Sequence, residues 1–154
     1  VSICPICDEK LSVIGTKKRG FISPNGTPRC LVLRRLRCKR CGKIHHEIPD
    51  FLIPYKRHCA ITIERVIDED TESVCCDWST ILRILTWFHE KIQYFQGCIV
   101  AVAVGKSPQN REENSLLHQM KNRLGHGRGW LRRLVRIVVN SNLWIHTRSE
   151  YVPG

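Results

Sequence analysis

Nine cysteines occur in this chain of 154 residues, and four of them form two C-x-x-C pairs, Cys4-Pro5-Ile6-Cys7 and Cys38-Lys39-Arg40-Cys41. A C-x-x-C turn aims two thiolates at one point and leaves nearby backbone N–H groups free to hydrogen-bond the sulfurs. Two such turns supply the tetrahedral four-sulfur set that zinc favours. Gly42 follows the second pair, where a knuckle turn tends to need positive φ. The expectation is one structural Zn2+ on Cys4, Cys7, Cys38 and Cys41. Iron in a rubredoxin-like site, a disulfide pair and a thioredoxin-like redox pair remain open to the same residues. The redox reading is the weakest, because it needs only one such pair, opening a helix beside a strand. Thirty residues separate the two pairs, against roughly 15–20 in common zinc motifs, so an enlarged hairpin is expected between them.

The other five cysteines read as buried thiols, since free cysteine packs as a small hydrophobe. Cys59, Cys75, Cys76 and Cys98 lie in apolar or helical contexts, and Cys30 stands close to the strand that leads to the second pair. His45 and His46 follow the second knuckle and could replace a cysteine ligand. With four thiols available, a strand edge or a phosphate contact is the better reading. An odd cysteine count cannot pair completely, and no secretory leader is legible before Cys4. The expected compartment is a reducing cytoplasm, where clustered cysteines bind metal more often than they form disulfides.

Charge supplies the second chemistry. Lys and Arg number 25 against 14 Asp and Glu, a net +11 and a pI near 9.5. Such a balance says nothing about fold and predicts attraction to polyanions, nucleic acid first. It is uneven: residues 1–57 hold 13 basic and 4 acidic side chains, residues 58–78 hold 1 and 6, and residues 106–154 hold 9 and 3. Two basic regions flank an acidic connector. The residues expected to contact nucleic acid are Arg34, Arg35, Arg37, Lys39, Arg40 and Lys43 around the second knuckle, Lys56 and Arg57 after it, and Arg132, Arg133 and Arg136 near the C-terminus. The longest apolar run, Cys98–Val104, is too short for a membrane span, which needs about 20 residues.

These residues must be held by elements whose periods are legible. Leu11–Ile14 and Cys30–Leu36 are β-prone, and Ser23-Pro24-Asn25-Gly26 between them is a strong turn signal. Two strands bracketed by cysteine knuckles describe a zinc ribbon, a unit small enough that metal supplies much of its folding energy. From Pro54, a plausible helix start, Ala60, Ile63, Val66 and Ile67 follow at helical spacing, predicting a helix over 55–68. Asp77 or Ser79 can cap a second helix, whose stripe Ile81, Ile84, Leu85, Phe88, Ile92 and Phe95 predicts a run ending before Gly97. Ile99–Val104 fits strand or helix, and 106–114 reads as loop. A third helix carries Leu116, Leu117, Met120 and Leu124. A fourth starts near Trp130 with Leu131, Leu134, Val135 and Val138 inward. Trp78, Trp87, Trp130 and Trp144 are expected in the core. The Gly125–Gly129 loop could cradle a phosphate before a helix, but it lacks the Lys-Ser/Thr of a P-loop.

The second helix admits a sharper reading. With Ile81, Ile84, Leu85 and Phe88 inward, Thr80 and Arg83 turn outward near its N-terminus. As the second helix of a helix-turn-helix it would bring them to base edges in the major groove. The connector, 69–77, is longer than the roughly 3–4-residue turn of that motif.

The stretch Arg34-Arg35-Leu36-Arg37-Cys38-Lys39-Arg40-Cys41-Gly42, then His45-His46-Glu47-Ile48-Pro49-Asp50, Pro54-Tyr55-Lys56-Arg57, Ser79-Thr80-Ile81-Leu82-Arg83 and Trp87, resembles a family of short bacterial proteins with an N-terminal zinc ribbon. That family is itself similar to the zinc-ribbon and helix-turn-helix portions of insertion-sequence transposases. The resemblance is strongest over 4–57 and 77–88. It implies DNA binding beside a transposable element, with a transposase or other mobile-element protein as a partner. It does not imply catalysis, because transposase chemistry needs three separated carboxylates holding two metal ions, and the acidic residues here cluster at 64–77.

The sequence thus predicts an α+β protein, with a small β zinc ribbon over 1–53 packed on a mainly helical, helix-turn-helix-like domain over 54–154. Its expected function is binding of DNA, duplex rather than membrane surface, without catalysis, since no nucleophile–base pair or carboxylate dyad stands out. An RNA-binding ribbon and a protein-interaction adaptor are the competing readings.

Overall fold

The computed structural model describes residues 2–102, 115–144 and 150–151. Its elements run β1 (Leu11–Ile22), β2 (Pro28–Cys38), β3 (Ile44–Glu47), α1 (Ala60–Ile67), α2 (Trp78–Val102), α3 (Leu116–Leu124), α4 (Trp130–Asn140) and β4 (Glu150–Tyr151). The fold is α+β, a four-cysteine β ribbon packed on a helical unit.

β1 and β2 form an antiparallel hairpin that runs from Leu11 opposite Cys38 to Ile22 opposite Pro28. The long gap between the knuckles is therefore paired strand, extending well past the expected runs. At its tip Ser23 N donates to Thr27 O at 2.9 Å and Gly26 N to Ser23 O at 2.9 Å. Gly26 has φ +82°, and a Cβ there would lie 3.0 Å from Cys75 Cβ, so conformation and space both call for glycine. Between Val13 and Gly15 the register slips by one residue, leaving Ile14 as a bulge. Beyond it Thr16, Lys18 and Gly20 pair with Arg34, Val32 and Cys30 on the exposed face. Lys17, Arg19 and Phe21 pair with Leu33, Leu31 and Arg29 on the face toward the helices. β3 adds to β2 in antiparallel fashion and β4 adds to β3 in parallel. β4 is only two residues long, below the length at which alternation can be read, and the sequence pattern predicts no strand there.

Leu33 and Ile48 from the ribbon join Ile63, Phe88, Phe95, Trp130 and Leu134 in one buried cluster. Burying apolar side chains of the size of leucine, isoleucine or phenylalanine stabilises by about 1.5–3 kcal/mol each. The exposed ion pairs at the same junction, Arg132 to Asp50 at 2.5 Å and Arg136 to Asp50 at 3.4 Å, contribute about 0–1 kcal/mol each. Apolar packing therefore outweighs the ion pairs in docking the two parts.

α1 begins at Ala60, not at Pro54. The backbone groups that an earlier start would use are taken by the hairpin: Ile22 N donates to Arg57 O at 2.7 Å, and Cys59 N donates to Ile22 O at 3.3 Å. Arg19 donates to Ile53 O at 2.6 Å and to Lys56 O at 3.3 Å. Tyr55 adopts φ +60°, which no helix continues through. α2 is capped by Asp77, whose carboxylate accepts from Thr80 N at 2.6 Å. It does not stop at Gly97 but continues to Val102, carrying Cys98 and Ile99 into the core. The expected loop 106–114 lies outside the described residues.

The N-terminus of α4 has a ligand of its own. Glu64, on α1 and 2% exposed, accepts from Gly129 N at 2.6 Å and from Leu131 N at 2.9 Å. Its carboxylate occupies the place where the Gly125–Gly129 loop could have held a phosphate. Asp68 at the end of α1 accepts from Trp130 Nε1 at 3.1 Å and pairs with Lys121 at 2.6 Å. Part of the acidic connector is thus spent on holding α3 and α4.

Candidate metal centre

The two knuckles are built alike. Cys4 N donates to Glu9 O at 2.8 Å and Asp8 N to Cys4 O at 3.0 Å. In the second, Cys38 N donates to Lys43 O at 2.9 Å and Gly42 N to Cys38 O at 3.1 Å. Asp8 and Gly42 occupy equivalent left-handed positions, φ +57° and +71°. Glycine does this without cost, and aspartate is among the few other residues that tolerate it. β1 leaves the first knuckle and β2 enters the second, so Leu11 pairing with Cys38 brings the two turns face to face.

The result is a cluster in which the sulfurs of Cys4, Cys7, Cys38 and Cys41 lie within 4.8 Å of one another. Cys4 Sγ is 3.7 Å from Cys41 Sγ, and Cys7 Sγ is 3.4 Å from Cys38 Sγ. Cys4 and Cys38 are fully buried, and Cys7 and Cys41 are partly covered. Burial pushes the Cys4 thiol up to about 12, while the backbone N–H of Cys41 draws Cys38 down to about 7. That N–H lies 3.5 Å from the Cys38 sulfur. Such a group can hold a metal ion through four sulfurs, the donor number of a tetrahedral site. It is the set of four that the sequence singles out.

His45 is buried, and its Nε2 lies 3.5 Å from Cys4 Sγ. It is neither a strand-edge residue facing solvent nor accessible to phosphate; it lies against Cys4, the position from which a residue behind a metal ligand would orient it. The alternation of β3, which turns His46 outward and His45 inward, is the signal that could have found it. Other expectations need correction. Cys30 and Cys75 are exposed, because Cys30 falls on the outer face of the hairpin and Cys75 lies in the connector against its tip. Trp78 is 66% exposed at the first position of α2, ahead of the inward stripe.

The cationic residues expected to contact nucleic acid fall into two groups. Arg37, Lys39 and Lys43 are exposed around the second knuckle, with no ion pair among the described residues, and Arg40 reaches only the Cys7 carbonyl, at 3.4 Å. Arg57 is exposed and Arg35 half-buried. Others are engaged within the fold. Arg34 pairs with Glu47 at 2.5 Å, and Arg132 and Arg136 share Asp50. Arg133 donates to the carbonyls of Leu124, Gly125 and Arg128, closing the loop before α4. Lys56 places its Nζ 4.0 Å from the centroid of the Trp87 ring. Thr80 lies within the first turn of α2. Arg83 donates to Ser79 Oγ at 3.0 Å, and Ser79 in turn donates to the capping Asp77. Lys17, Lys18 and Arg19, a consecutive run on β1 outside the expected contact set, stand beside Arg57.

Among the described residues no helix is long and apolar enough to cross a membrane. No curated protein and no solved structure matches the chain. The stretch that does match a known family starts at the first ligand, Cys4, takes in both knuckles and α1, and ends in the opening turns of α2. Residues 4–84, just over half of the chain, fit the domain of unknown function DUF6431, and the chain belongs to that family.

Proposed function

We propose that the chain is a non-catalytic, zinc-stabilised DNA-binding protein, acting beside a mobile element. The observation that carries this reading is the four-thiol group on a knuckle whose own loop and flanks present Arg37, Lys39, Arg40 and Lys43 to solvent. Four sulfurs with no open position suit a structural zinc rather than a reacting one. A metal that fixes the loop also fixes the spacing of its cations, and cations at fixed spacing meet phosphates with little ordering cost. The sequence resemblance to transposase ribbons supports the mobile-element setting and names a transposase as the expected partner. Thr80 and Arg83 on α2 are the residues this reading assigns to base edges, with α1 as the supporting helix. Arg83 would have to leave Ser79 to do so.

Elemental analysis of the purified protein, followed by duplex DNA binding before and after chelation, tests the proposal. About one zinc per chain, and binding that falls when it is removed, is the expected result. Iron in its place would sink the zinc assignment. Binding that survives chelation unchanged would separate the ribbon from the function.

A further inference from the structure

Between β1 and the turn at 54–57 lies a cavity of about 230 Å3, distinct from the cysteine cluster. Lys17, Arg19, Lys56 and Arg57 line it together with His46, and among the described residues no carboxylate does. Its volume suits a phosphate group with part of its hydration, at ~30 Å3 per water. His46 is held below the usual imidazole value by burial and then by Lys17, Arg35 and Arg19. Burial is the larger cause, and the neighbouring cations add to it, so an anion placed among them would be attracted.

Tyr55 stands on the ridge between this cavity and a second one of about 470 Å3, which is walled by Trp87, Phe95 and Trp144. The residue is 69% exposed at φ +60°, a backbone region that aromatic residues avoid. Such outliers persist where the surroundings impose them, and they gather at ligand sites. Here the imposing contact is visible: Arg19 Nη2 holds the carbonyls of Ile53 and Lys56, on either side of Tyr55. The fold thus presents an aromatic ring to solvent between a cationic hollow and an aromatic one.

The geometry points to an unpaired nucleotide as the ligand of this turn, with its phosphate among Lys17, Arg19 and Arg57 and its base stacked on Tyr55 at the mouth of the Trp87 hollow. The inference rests on the nucleic-acid reading above and narrows it. A closed duplex keeps its bases stacked on one another and offers this site only phosphates. An overhang, a gap or an opened end offers both parts, the combination that single-strand-binding surfaces use.

The test is fluorescence anisotropy of the metal-loaded protein with three labelled oligonucleotides of one sequence: a blunt duplex, the duplex with a single-stranded overhang, and the same with an abasic overhang. The intact overhang should bind tighter than the other two by roughly five- to hundredfold, the range that aromatic–base stacking gives. Tyr55→Gly, which suits the positive φ and so spares the fold, should abolish that preference and leave blunt-duplex binding unchanged. Tyr55→Phe should keep it. Equal binding of intact and abasic overhangs, or a preference that survives Tyr55→Gly, would overturn the inference while leaving DNA binding standing. Failure to bind any of the three would remove both.

Discussion

At the scale of single residues, the cysteine spacing made the metal cluster legible, because two C-x-x-C turns have few other uses. Cys38→Ser should reduce metal content from about one ion per chain to a small fraction; metal analysis checks this, and full retention would mean that the remaining thiols suffice. Glu64 was not legible: nothing in a helical Glu announces that it will be buried against the start of a helix 65 residues later. Removing its carboxylate leaves two N–H groups of α4 without an acceptor, so Glu64→Ala should cost roughly 2–4 kcal/mol. Denaturant titration measures this, and a loss under 1 kcal/mol would mean that water or a neighbour replaces the carboxylate. His46 and His58 are both held below the usual imidazole value of 6.5, with burial the leading cause for each. They stay neutral when folded and take up protons more readily when unfolded. Their contribution to stability is therefore intact above pH 6.5 and lost as the pH falls through 6.5 toward their folded values. An NMR titration of the imidazole protons that finds ordinary values for both would refute this.

At the scale of elements, helical periodicity found the last three helices, and the stripe from Ile81 to Phe95 does face the core. What it missed was decided by tertiary contact. Pro54 fits a helix start, but the hairpin claims the backbone around it. Gly97 fits a helix stop, yet the following Cys98 and Ile99 are buried, which holds the helix together past it. A Cβ at Gly97 would meet nothing within 4 Å. Gly97→Ala should therefore stabilise the protein by about 0.5–1 kcal/mol by removing a flexible residue from a helix interior. A lowered melting temperature would show that the helix is interrupted there.

For the whole molecule, net charge pointed to a polyanionic partner but could not say which cations face outward. Arg34, Arg132, Arg133 and Arg136 look identical in sequence to Arg37, and the structure engages the first four within the fold. On the proposed reading, duplex binding weakens steeply with salt. Replacing Arg37, Lys39 and Lys43 together by Ala should flatten the logarithmic slope by about 2–3, at ~0.9 for each phosphate no longer neutralised. The same treatment of Arg132 and Arg136 should mainly loosen their junction with Asp50. A slope unchanged by the first triple variant would move the DNA contact elsewhere on the surface.

The bulge at Ile14 acts as a parity setting for the ribbon. Strand side chains alternate between faces, so one inserted residue exchanges the two faces for everything beyond it. The first knuckle lies on one side of Ile14, and Arg19 with the Tyr55 turn on the other. Ile14 therefore sets which way Cys4 and Cys7 look when Arg19 and Phe21 look toward the helices. Deleting it would leave every cysteine, every cation and the hairpin tip in the sequence. It would also force a choice: either the thiols meet, or the hairpin docks on the helices. The length of β1, odd or even, is therefore as much a part of the metal site as the sulfurs are.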